Sequence, residues 1–267
     1  MIQIQNIEVS AGEVDIIKWV TLDFEPGKNY CLLWKNGSGK STLSSVLMGH
    51  PKYEVTSGSI SIDGEDLVEM EPDERSAAWI FLSFQNIPEI KWVKLSEYLR
   101  TIFNIAEKQR QESLHSQPSS QPSPLEEKER AASEFQGLSP FMFKRFIKSH
   151  LEELQIEEAF LDRDLNVGFS GGEKRKIEIL QMKLIGPKYI ILDEIDSGLD
   201  LDAFKTVATM LQSLSSPENS IIIITHYFTI LDYIDVDKVF VMKAGKVVKE
   251  GWKELAKEIS ESGFGEV

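Results

Sequence analysis

The chain has 267 residues, 42% of them hydrophobic, which suits one large domain or a domain with a subdomain and excludes global disorder. A net charge of −14 argues against a nucleic-acid partner, whose phosphates it would repel, and the single cysteine, Cys31, excludes a disulfide framework or a Cys-ligated cluster within one chain. No apolar run approaches the roughly 20 residues of a membrane span, and the N-terminus MIQIQNIEVS lacks the basic start and apolar core of a secretory signal. A cytoplasmic protein with no direct membrane insertion is expected.

IQIQNIEVS and DIIKWVTLDF alternate as strands do, and a turn follows at EPGKN. YCLLW is a short apolar run of the kind that forms a buried central strand, and Cys31 within it is expected to be a structural thiol. A helix is predicted from Lys40 or Ser41 through STLSSVLMG, then an alternating strand at SGSISIDG and an apolar strand at WIFLSF. From about Lys94 to Ile156 the spacing is helical, with Phe143, Phe146, Ile147, Leu151 and Leu154 on one face. The Ser-, Gln- and Pro-rich stretch ESLHSQPSSQPSPLEEKER reads as a mobile surface insertion, at about 108–135, in a helical subdomain of about 86–185.

After Gly168, strand and helix alternate again. YIILDE and SIIIITH are apolar strands ending in polar residues, and LDAFKTVATMLQSL is a helix between them. KVFVMKAGKVVKEG reads as a hairpin before a final helix from about Lys253. The expected fold over 1–267 is therefore α/β: a mostly parallel central sheet, an N-terminal antiparallel part and an inserted helical subdomain. Ligands of such sheets bind beyond the carboxyl ends of the strands, so the polar residues ending the apolar runs are the candidates for chemistry.

LLWKNGSGKST supplies the first of them. Gly39, Lys40 and Ser41 complete the second half of a phosphate-binding loop, G-x-x-x-x-G-K-[ST]. Backbone N–H groups from Asn36 to Thr42 can wrap a phosphate, since Gly37 and Gly39 permit close approach. Lys40 would reach the β- and γ-phosphates of a nucleotide, and the Ser41 hydroxyl would ligate Mg²⁺. The candidate nucleotide-binding segment is thus Trp34, Lys35, Asn36, Gly37, Ser38, Gly39, Lys40, Ser41 and Thr42. Its first position, where the pattern has glycine, holds Trp34. At the end of YIILDE, Asp193 can hold Mg²⁺ and Glu194 can take a proton from an attacking water.

NVGFSGGEKRK sharpens the reading. Ser170, Gly171, Gly172 and Glu173 resemble the signature motif of ABC ATPases. Gln85 at the end of FLSFQ is similar to their Q-loop, Ser197 to Asp200 to their D-loop, and His226 in IIIITHY to their switch histidine. The resemblance implies ATP with Mg²⁺ held by Ser41, Gln85 and Asp193, catalysis by Glu194, His226 and Gln85, and a head-to-tail, ATP-dependent homodimer. In that dimer Ser170 and Gly172 would meet the γ-phosphate bound by the other copy, with Asp200 beside them. Ala11 stands where many members place an aromatic ring for adenine.

Within that family, NVGFSGGEKRK, LDEIDSGLDLDA, THYFTILDYI and HPKYEVTSGSISIDGEDL resemble the ATPases of the SUF iron–sulfur assembly machinery. This implies a soluble SufB/SufD-type scaffold as partner, docked near NIPEIKWVKLSEYL, and no cluster on the ATPase itself. The nucleotide-binding subunit of a membrane transporter is the alternative; a chromosome or repair ATPase is disfavoured by the acidic balance. Laid on the SUF pattern, the five tryptophans, Trp19, Trp34, Trp79, Trp92 and Trp252, stand where glycine is expected. The basic run Lys174 to Lys176 suggests in addition that Arg175 pairs with Glu194 in the resting subunit.

Overall fold

The computed structural model describes residues 1–34, 39–115, 137–195 and 199–262. They divide into two compact units, Met1–Ile87 with Pro187–Val267, and Pro88–Gly186.

The first unit begins with β1 (Ile2–Ala11), β2 (Val14–Phe24), β3 (Tyr30–Trp34), α1 (Lys40–Leu47), β4 (Glu54–Ile62), β5 (Glu65–Asp66), α2 (Pro72–Ala77) and β6 (Ile80–Ser83). β2, β1, β4 and β5 form an antiparallel sheet in that order. One face of it is buried because apolar residues recur at near-alternate positions, Ile2, Ile4, Ile7 and Val9 on β1 and Ile17, Val20, Leu22 and Phe24 on β2. The β4–β5 connection is Asp63-Gly64, both left-handed, as a two-residue hairpin turn requires.

The second unit comprises β7 (Ile90–Lys94), α3 (Leu95–His115), α4 (Pro140–Glu153), a 3-10 turn at Glu158–Asp162, β8 (Asp164–Leu165) and α5 (Gly171–Ile185). Ser139 caps α4 by accepting a hydrogen bond from the Met142 N–H, and Pro140 occupies the first turn, where its missing N–H costs nothing. Phe143, Ile147, Leu151 and Leu154 are buried as their spacing predicts, whereas Phe146 stays 38% exposed at the edge of a cluster with Phe103 and Phe143. α3 continues through His115, so residues 108–115, expected to open the insertion, are helix. The remainder of that stretch, 116–136, lies outside the described residues. Inside α5, Arg175 Nη1 donates to Glu178 Oε2 at 2.6 Å, both side chains being buried. Glu178 is thus one partner of the Arg175 guanidinium.

The chain then returns to the first unit with β9 (Tyr189–Asp193), α6 (Leu201–Gln212), β10 (Ser220–Thr225), β11 (Lys238–Lys243), β12 (Lys246–Gly251) and α7 (Lys253–Ser262). The central sheet has the order β12-β11-β3-β10-β9-β6, and its last five strands are parallel. β12 runs antiparallel to β11 as the second arm of the expected hairpin. Parallel strands are covered on both faces, which is why β3, β9 and β10 are buried at every position. Leu32, Ile191, Ile222 and Ile224 of this sheet share one core with the antiparallel sheet and with Leu43, Val46 and Leu47 of α1. The fold is thus α/β, with a mostly parallel central sheet and an antiparallel N-terminal one. The register aligns the strand ends: Asp193 lies beside Ile224, Leu33 beside Thr225, and Trp34 beside Met242.

Candidate active site

β3 ends at Trp34 and α1 opens at Lys40; Lys35, Asn36, Gly37 and Ser38 lie outside the described residues. Gly39 precedes the helix with φ 93°, and a Cβ there would sit 2.7 Å from Ile16 Cγ2, so only glycine fits. No side chain caps α1 and no acid stands in its first turn. Its N-terminal amides and positive dipole end therefore suit an anion. Ser41 is exposed at this end and Thr42 buried beneath it. The next polar residue, Ser44, donates to Asp193 Oδ2 at 2.9 Å and to the Ser41 carbonyl at 3.3 Å. Ser44 lies outside the phosphate-loop pattern. A hydroxyl one helical turn after Ser41, on the face that carries Leu43 and Leu47, was the available signal.

Glu194 follows Asp193 at the carboxyl end of β9. Its backbone is left-handed, φ 48°, and its N–H donates to the Ile224 carbonyl at 3.0 Å. Left-handed backbone is costly for a side chain of this type and recurs at working sites. Here it turns a carboxylate that is only 7% exposed toward two neighbours. Gln85 Nε2 donates to Glu194 Oε2 at 2.6 Å, and His226 Nδ1 lies 3.1 Å from Oε1. Three residues predicted from separate strand ends therefore meet around one carboxylate. The His226 ring lies 3.9 Å from that of Tyr227, whose N–H donates to Thr225 Oγ1 at 2.9 Å, fixing the turn that presents the imidazole.

The donors expected to hold Mg²⁺ are oxygens: a hydroxyl at Ser41, a carboxylate at Asp193 and an amide at Gln85. Such hard donors suit Mg²⁺, which uses one or two protein carboxylates together with substrate phosphates rather than a full protein cage. Among the described residues no group of three or more His, Cys, Asp and Glu is placed to bind a metal by itself. Burial pushes the Cys31 thiol far above its ordinary value, which fits an inert core position. A cavity of about 720 Å³ lies at Tyr30 and Lys238, the amino ends of β3 and β11, opposite the edge where such sheets take their ligands.

In the second unit, Ser170 and Glu173 form a reciprocal capping box at the start of α5. Ser170 Oγ accepts from the Glu173 N–H at 3.3 Å, and Glu173 Oε2 accepts from the Ser170 N–H at 2.6 Å. Gly171 and Gly172 occupy the first two helical positions without side chains to cover the helix end. The approach to this end is stiff, because Arg163 lies over Phe160 and Phe169 and donates to the carbonyls of Val167 and Gly168. Asp200 accepts from the Ala203 N–H at 2.8 Å and so caps α6; Ser197 and Gly198 lie outside the described residues.

The sequence profile of the ABC transporter family matches residues 17–197. The chain belongs to the ABC transporter family. This ABC ATPase is 42% identical to "Probable ATP-dependent transporter slr0075" of Synechocystis, over 99% of its own length and 94% of the relative's. It is 38% identical to "Probable ATP-dependent transporter SufC" of Escherichia coli, over 99% and 98% of the two chains. Among solved structures, it resembles a nucleotide-free ATP-binding cassette from an ABC transporter with a TM-score of 0.71 at 24% identity, covering 99% and 96% of the chains. A dimeric bacterial ABC transporter cassette, MJ0796, gives 0.68 at 20% identity over 95% and 99%. These two show the fold. The ABC ATPase binds and hydrolyses ATP, and its full-length relatives include SufC. Among its described residues no helix is long and apolar enough to cross a membrane.

Proposed function

We propose that this ABC ATPase couples Mg²⁺-dependent ATP hydrolysis to a conformational change in a soluble, SufB/SufD-type scaffold for iron–sulfur cluster assembly. The observation that carries the catalytic part is the convergence of Gln85, Glu194 and His226 at the carboxyl edge of the sheet. Residues 34–42 hold the phosphates, with Lys40 reaching the β- and γ-phosphates. Ser41, Asp193 and Gln85 would hold Mg²⁺, which when bound offsets charge on those phosphates. Glu194 accepts the proton of the attacking water, while Gln85 and His226 orient its carboxylate. Ser44 keeps Asp193 aimed at the helix N-terminus.

The signature residues complete the site in an ATP-dependent homodimer. The open α5 terminus at Gly171 and Gly172, capped on one side by Ser170, offers N–H groups to the γ-phosphate of the nucleotide held by the other copy. Glu173 supports this from behind, as the second half of the capping box, and Asp200 lies at the start of α6. The dimeric MJ0796 cassette is a fold relative that assembles in pairs.

The scaffold assignment is supported by the SufC relative, matched along nearly its whole length. The relatives' names also contain "transporter", which favours a second reading: the nucleotide-binding subunit of a membrane transporter. Purification of the tagged protein from its own cells separates the two. Recovery with a soluble iron–sulfur scaffold supports the proposal, and stoichiometric recovery with a membrane permease refutes it.

A further inference from the structure

We infer that the protein made in its own cell carries glycine, not tryptophan, at positions 19, 34, 79 and 92, so that its phosphate-binding loop begins with glycine. Of the nine described non-glycine residues with left-handed backbone, three are tryptophans: Trp19 with φ 55°, Trp79 with φ 67° and Trp92 with φ 69°. The chain has only five tryptophans in all. A few per cent of non-glycine residues adopt such angles, so three of five by chance is an event on the order of one in a few thousand. Asn6, Asp63 and Asn166 account for three of the remaining six, and their types tolerate this region. Tryptophan does not belong there.

Each of the three sits in a local structure that calls for glycine. Ile7 pairs with Val20 and Val9 with Ile17, so Lys18 and Trp19 together face Glu8 in a β-bulge. One common bulge type places glycine at its left-handed residue. Trp79 stands just past the C-cap Ala78 of α2, its N–H bonded to the Ser76 carbonyl. That is the position at which glycine ends helices. Its own carbonyl accepts from the N–H groups of Lys188 and Tyr189, both at 3.0 Å, which holds the backbone in place. Trp92 falls within the register break between the Ile90–Leu165 and Lys94–Asp164 pairs. Its N–H donates to Asp164 Oδ2, while its indole is 91% exposed and gains nothing from burial.

Trp34 fails for a different reason. It is the last residue of β3, is fully buried, and its Nε1 is buried with no hydrogen-bond partner among the described residues. Buried indoles normally find an acceptor. Its Cζ3 would lie 3.5 Å from a Cβ built on Gly39, so the indole packs against the residue that precedes α1. Trp252 is 72% exposed and is not among the left-handed residues, so the structure bears on it in neither direction.

One cause accounts for the four sites together. In a cell whose code assigns UGA to glycine, reading UGA as tryptophan replaces only the glycines written with that codon and leaves the other 17 glycines in place. Independent mutations would have had to strike four glycine-requiring positions and convert each to the same bulky residue.

The gene and the native protein provide the test. UGA codons at 19, 34, 79 and 92 are expected, and peptides from the native protein should be lighter at each site by the difference between an indolylmethyl group and hydrogen. UGG codons, or intact tryptophan peptides, overturn the inference. A third arm rests on the nucleotide-site reading: Trp34→Gly in the recombinant chain should tighten MgATP binding by on the order of ten-fold or more. Equal binding by the two chains overturns the inference at position 34. If neither binds MgATP, the nucleotide-site reading fails, while codons and peptide masses still decide the inference.

Discussion

The double variant Trp19→Gly/Trp92→Gly should raise the thermal stability of the recombinant chain. At each site the backbone is left-handed, a conformation that costs a residue bearing a Cβ about 1–2 kcal/mol. Glycine removes that cost but adds unfolded-state freedom worth about 0.4–1 kcal/mol. Little burial is lost, because Trp19 is 61% and Trp92 is 91% exposed. The net gain is about 0.5–1 kcal/mol per site, or roughly 1–2 in total. With about 2–4 °C per kcal/mol for a chain of this size, Tm should rise by about 2–8 °C. Far-ultraviolet circular dichroism reads the transition without depending on indole fluorescence. Alanine at the same two sites removes the indoles but keeps the Cβ, and should recover much less. If the glycine variant melts at or below the parent temperature, or alanine does as well as glycine, backbone strain is not what these positions carry.

Other consequences can be measured in the Trp34→Gly background. Glu194→Gln keeps the shape of the side chain that meets Gln85 and His226 but removes the base. It should retain MgATP binding, lose about 10²- to 10⁴-fold in kcat, and accumulate as a dimer visible by light scattering; a parental turnover rate would remove Glu194 from the base role. Lys40→Ala should weaken MgATP binding itself, as read by equilibrium titration. Glu173→Gln preserves the capping box with Ser170 and should leave stability and hydrolysis nearly unchanged, whereas Glu173→Ala should lower stability by about 0.5–2 kcal/mol; equal loss in both variants would mean that the charge, not the cap, matters. Arg175→Ala removes the buried pair with Glu178 and should lower the midpoint of denaturant titrations.

The central sheet was legible because buried parallel strands write themselves as unbroken apolar runs, YCLLW, YIILD and SIIIIT. Glu194 and His226, which follow two of those runs, meet each other, and Gln85 from beyond β6 joins them. What periodicity could not reveal depends on contacts distant in sequence. Ser44 reads as one more helix serine until Asp193, 149 residues on, is seen to accept its hydrogen bond. α3 outran its expected end because Glu107 with Arg110 and Lys108 with Glu112 pair along the helix, so polar composition there meant a solvated face rather than a loop. Phe146 shares the spacing of its buried neighbours yet lies at the rim of that face. Glu173 belongs to the ligand-binding motif in the sequence, and its place in a capping box follows from the three-residue spacing from Ser170 that the sequence also contains. The left-handed angles at Trp19, Trp79 and Trp92 are invisible to hydropathy altogether, since φ is set by bulges and helix ends.

The coupling of ATP hydrolysis to the scaffold is tested most directly on the scaffold's own cysteine thiols. The scaffold that purifies with the ATPase is exposed to an alkylating reagent alone, with the ATPase, and with the ATPase plus MgATP or its Glu194→Gln variant. MgATP should open thiols that are protected without nucleotide, and Glu194→Gln with MgATP should hold them open. Thiols alkylated at the same rate with and without MgATP would contradict the proposed role.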